Sequence, residues 1–157
     1  MAWAKTQTNT VTTAIDLQTL TVEAKKFKII LDNTIPIPNC TQTYTFNNDT
    51  TSSYALRYSG NGAADGTGVN RTSAAAEWDP TNLDRFNLSY MSDISGEETL
   101  WIQFGVFITA TGAGTAPSRY EEVWKWDDTA QITEMDSTND SAGSFDTDSN
   151  LSLLGTD

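Results

Sequence analysis

The chain has 157 residues, enough for one domain with a single sizeable core, and 38% of them are apolar. Nine Lys and Arg against 21 Asp and Glu leave a net charge of −12, which argues against nucleic acid bound through its phosphates. There is no histidine and a single cysteine, Cys40; the commonest general base and zinc ligand are missing, no intrachain disulfide can form, and a triad-type hydrolase is disfavoured.

Residues 3–13 are polar and Thr-rich, an extended arm or a first strand. Leu17, Leu20 and Val22 lead through a charged stretch into Phe27-Lys28-Ile29-Ile30-Leu31, which reads as a strand. Ile35-Pro36-Ile37-Pro38 is extended, because each proline removes a ladder donor and restrains its predecessor; it suits an edge or a crossover. Tyr44 and Phe46 alternate with Thr43, Thr45 and Asn47, and Tyr54, Leu56 and Tyr58 alternate with Ala55, Arg57 and Ser59. Asn48 and Asp49 tolerate a left-handed backbone, so these two runs read as a hairpin. Residues 60–68 then read as a flexible loop of small residues.

Residues 74–78 suit a strand or a single helical turn, and residues 80–84 a turn. Phe86, Leu88 and Tyr90 alternate again. Residues 100–109 form the strongest strand of the chain, central and largely apolar on both faces. A second small-residue loop covers 111–118. Strands follow at residues 120–126 and 131–136, and a closing strand carries Leu151, Leu153 and Leu154. Eight to ten short strands with turn chemistry between them predict an all-β fold: one antiparallel β-sandwich over residues 1–157, jelly-roll-like, with an immunoglobulin-like sandwich as the alternative. No apolar run is long enough to cross a bilayer as a helix, and the first residues do not form a basic segment followed by an apolar one. The expectation is a protein made in a cytoplasm, with no membrane partner.

The adjacent carboxylates Glu97-Glu98, Glu121-Glu122 and Asp127-Asp128 cannot each form a glycosidase dyad, since neighbours on a strand face opposite sides. A cross-strand pair of Glu98 with Glu122 remains conceivable, but solvated edge charge is the simpler reading. Asp146-Thr147-Asp148-Ser149-Asn150 has the acidic spacing of half a calcium loop, yet Leu151 and Asp157 stand where glycine and a bidentate glutamate belong. We therefore expect no catalytic, metal or cofactor residues and no cofactor. Trp124 and Trp126 share one face of their strand, as core residues or as an aromatic platform for sugar. Together with Asn61, Asp65, Asn70 and Arg119 from the loops and their borders, they are the candidate residues for a ligand or partner.

Four blocks carry a resemblance: residues 46–62; Gly112-Ala113-Gly114-Thr115-Ala116-Pro117-Ser118-Arg119 leading to Lys125-Trp126; Ala130-Gln131-Ile132-Thr133; and residues 143–155. In that order they resemble a group of small all-β virion-associated structural proteins of tailed bacteriophages, prophages and related viruses. The resemblance covers most of the chain after Phe27. It implies a jelly-roll-like domain that assembles on particles in the host cytoplasm as a trimer or another homo-oligomer. It implies a head decoration (cement) protein bound to the major capsid or other virion proteins, or a tail or fibre component that meets a host glycan or receptor. It implies no catalytic residues.

Overall fold

The computed structural model describes residues 2–75 and 82–157, and the expectations for residues 76–81 lie outside them. Among the described residues the chain forms fourteen strands: β1 (Ala4–Thr10), β2 (Leu17–Thr21), β3 (Phe27–Thr34), β4 (Pro36–Ile37), β5 (Gln42–Phe46), β6 (Tyr54–Gly60), β7 (Gly66–Arg71), β8 (Ala74–Ala75), β9 (Arg85–Ser92), β10 (Thr99–Phe107), β11 (Ser118–Trp126), β12 (Glu134–Asn139), β13 (Ser144–Phe145) and β14 (Asn150–Thr156). The fold is an all-β antiparallel sandwich. Its large sheet has the order β1-β14-β3-β9-β10-β11-β6-β7, and the smaller one β2-β12-β5-β8. β4 and β13 pair at one side, so the Pro36 segment is a crossover between the sheets, as its prolines suggest.

The core lies between the sheets. Tyr44 and Phe46 from β5 meet Trp101, Trp126 and Tyr54 from the large sheet, with ring centroids 5.3–6.0 Å apart. Leu20, Met135, Leu151 and Leu153 close around them. At the other end the interior is polar. The Asp32 carboxylate accepts from the Thr34 hydroxyl at 2.8 Å, the Gln42 amide at 2.7 Å and the Tyr44 hydroxyl. Gln42 also donates to Ser137 and accepts from Arg85. This network joins both sheets. A register slip would leave its buried members unpaired, so it also fixes how the sheets align.

Three expectations are corrected. The runs at residues 43–47 and 54–59 are no hairpin, because β5 and β6 belong to different sheets. Asn47 and Asn48 take left-handed backbone, and the turn carries the chain across the sandwich, where Phe46 N–H donates to the Tyr54 hydroxyl at 3.0 Å. The loop at 60–68 is shorter than predicted, since Gly66–Arg71 forms β7 against β6. A Cβ on Gly66 would stand 2.3 Å from the Tyr58 ring, so the flexibility that the glycines suggested is in fact close strand packing. The strand expected at 131–136 lies at Glu134–Asn139, because Ile132 N–H is taken by the buried Asp93 carboxylate and Val22 N–H bonds Thr133 O. The fourteen strands among the described residues exceed the eight to ten expected, even without the two-residue strands β4, β8 and β13.

Candidate functional site: the outer face of the large sheet

Two strands at the middle of the large sheet decide the character of its faces. In β9 the inward side chains are Arg85, Asn87, Ser89 and Met91, while Phe86, Leu88 and Tyr90 point outward. In β10 Trp101, Gln103 and Gly105 point inward, and Leu100, Ile102, Phe104 and Val106 point out. The neighbouring strands add Phe27, Ile29 and Leu31 from β3 and Val123 from β11 to the outer side. β10 is central in the large sheet, as expected, but its apolar face is the open one; inward, Trp101 stands among the buried Thr99, Gln103 and Gly105.

Register builds rows across this face. One row runs Leu154, Ile29, Tyr90, Ile102, Val123 and Arg57; the next runs Ser152, Leu31, Leu88, Phe104, Glu121 and Ser59. Eight large hydrophobics on the face are 38–56% exposed; at ~150–250 Å² for each large side chain they offer roughly 700 Å² of apolar surface. Monomers rarely expose a contiguous patch larger than about 300–600 Å². Polar residues border the patch: Asn33, Asn150 and Ser152 on one side, Arg57, Arg119, Glu121 and Lys125 on the other. An apolar centre inside a polar rim is the anatomy of a protein interface.

The face is not flat. A groove of about 920 Å³ lies over its Leu100 end, bounded by Trp3 on the β1 side and Val69 on the β7 side. Phe86, Phe104 and Val106 stand beyond that groove, toward the other end of the strands. Of the charged residues that line the groove, the Arg57 and Lys125 side chains are exposed, whereas the Lys28 side chain turns inward to the buried Asp93. Arg57 is paired with Asp65 at 3.2 Å and Lys125 with Glu98 at 3.1 Å.

The residues singled out from the sequence are partly brought together. Asn61, Asp65 and Arg119 line a smaller pocket of about 330 Å³ beside Phe104 and Val106. Asn61 sits in a left-handed turn, accepts from Arg119 N–H at 3.0 Å and donates to the Ser118 hydroxyl at 3.1 Å. Asn70 is exposed on the edge strand β7. Trp124 and Trp126 are 5% and 1% exposed and pack in the core, Trp126 donating to Asp49 at 2.7 Å. Glu122 is fully buried and accepts from the Trp124 indole, whereas Glu98 is exposed on Lys125; they share no cleft. Asp146 and Asp148 lie in the turn before β14, and among the described residues no three potential metal ligands converge.

The apolar face was missed because alternation has no sign: it says that a strand has two faces and leaves open which is inside. One signal was available. β10 carries large apolar residues on both sides, Trp101 on one and Leu100, Ile102, Phe104 and Val106 on the other, and antiparallel sheets commonly face water on one side, so the second set calls for a second cover. Compared with known proteins, the chain matches no family model, no curated protein and no solved structure.

Proposed function

We propose that this chain is a non-enzymatic virion structural protein, a capsid decoration or cement protein that works by docking onto other proteins. The observation that carries the reading is the apolar outer face of β9 and β10, set against an interior that buries Arg85, Asn87, Gln103 and Glu122. A sequence free to choose would reverse these faces; keeping hydrophobics outside makes sense when assembly covers them. The resemblance of residues 46–62 and 112–126 to virion-associated proteins supplies the particle. The jelly-roll reading draws support from nested antiparallel pairs, β1 with β14, β2 with β12, β3 with β9 and β5 with β8, as in one long hairpin rolled over itself. On this reading β6–β7 and β10–β11 are hairpins added to the large sheet.

Imaging particles with and without the protein tests the proposal. Regular density at symmetry-related capsid positions should vanish on deletion, and loss confined to the tail would move the assignment there. A second reading, a tail or fibre component that meets a host glycan, rests on the pocket where Asn61, Asp65 and Arg119 stand beside Phe104 and Val106. Glycan-array binding that is lost in Arg119→Ala would favour it, whereas a pure cement binds particles and no sugar.

A further inference from the structure

We infer that the occupant of the apolar face is a second copy of this chain, stacked sheet on sheet about a two-fold axis. The inference rests on reading that face as a docking surface and names what covers it. Area is the first argument: roughly 700 Å² of apolar surface is close to the ~800 Å² that each partner gives to a standard interface. Two sheets stack about 10 Å apart, the spacing at which side chains interdigitate.

The second argument is the self-complementary pattern of the face. Let the axis lie between the sheets, across the strands, over the row Ile29–Tyr90–Ile102–Val123. Each strand then lies antiparallel over its own copy, and positions equally far from that row become opposite. Leu100 meets Phe104, Phe27 meets Leu31, and Lys125 meets Glu121, while Leu88 meets Ser92 and Arg57, on the axis row itself, meets its own copy with Asp65 beside each. Such an isologous contact closes on itself as a dimer. A trimer needs two different patches; outside this face and the Trp3 and Val69 walls, Leu17, Ile94 and Ile108 are the exposed large hydrophobics among the described residues.

Sedimentation equilibrium of the full chain from ~1 to ~100 μM is the test, covering the usual affinity range of such contacts. The wild type should sediment at twice the monomer mass of 17.2 kDa. Phe104→Glu and Leu100→Lys should each weaken association at least ~30-fold with unchanged circular dichroism. An equimolar mixture of the two variants should recover dimers, since Glu at 104 then faces Lys at 100. Lys125→Glu and Glu121→Lys repeat the scheme on the rim, where folding is not at stake. A wild type that stays monomeric or forms trimers, a dimer indifferent to both apolar variants, or mixtures that remain monomeric would overturn the inference. If the wild type is monomeric and Phe104→Glu no longer attaches to particles, the face still docks, but to another protein. If attachment is also untouched, the docking reading of the face falls with it.

Discussion

Asp49 shows how a single polar residue in a turn holds two sheets together. Burial pushes its carboxyl up, but the Thr51 hydroxyl, the Trp126 indole, the Thr51 amide and the Ser53 hydroxyl outweigh that and hold it at about 2, below the ordinary 3.8. Its folded-state value is depressed, so its stabilisation is complete above the unfolded value and drains away as pH falls from about 4 to about 2. Asp49→Asn should lower stability at pH 7 by about 1 kcal/mol, allowing for solvent at this half-buried site, and should flatten the acid loss. Urea denaturation at pH 7 and along that interval reads both. Gly105 makes a different kind of contribution. A Cβ there would stand 2.1 Å from the Tyr120 ring, which crosses the strand so that its hydroxyl can donate to Asn87 at 2.5 Å. Gly105→Ala should cost about 1–3 kcal/mol by overpacking, measured by the same denaturation.

At the scale of elements, the large sheet is organised by what its central strands bury. Lys28 on β3 and Asp93, the residue after β9, form an ion pair with both side chains 1% exposed. Burial lowers the Lys28 pKa, and the Asp93 contact opposes that. Asp93 also accepts from Thr99 at 3.2 Å and from Ile132 N–H at 3.1 Å, so one carboxylate joins β3, the β9–β10 connection and the segment entering β12. Removing it strands a buried ammonium, and Asp93→Ala should cost about 3–5 kcal/mol in chemical unfolding. The pair also explains the reversed faces. With Lys28, Asp32, Arg85 and Asn87 inside, the apolar set on β3 and β9 is held outside, because sliding either strand by one residue would turn the partnered polar groups outward and break the network.

At the scale of the molecule, the consequence is a surface that is complete only when covered. Association linked to folding makes thermal stability depend on concentration. The melting temperature of the wild type should therefore rise by several degrees between ~1 and ~100 μM, and that of Phe104→Glu should not, as calorimetry or circular dichroism can record. The strand β1 at one edge and β7 at the other are the remaining open backbone edges of the large sheet. Thr8 on β1 bonds the Ser152 hydroxyl at 2.9 Å, so the polar segment 3–13 is a strand fastened to β14 along much of its length.

Residue identities alone carried the all-β class, most of the strands and the prolines' crossover, since alternation, β-branched content and turn chemistry are local properties. Identities alone also located Asn61 and Arg119 near each other in character, if not in space. Which sheet β5 and β6 join, and which side of β9 and β10 faces the core, emerged only in the folded arrangement. Period-2 alternation is symmetric under exchange of inside and outside, and Phe86-Asn87-Leu88-Ser89-Tyr90 satisfies it equally well either way. The choice is made by contacts between strands far apart in the chain, such as Asp32 with Gln42 and Lys28 with Asp93, whose buried polar groups can be satisfied in one of the two arrangements.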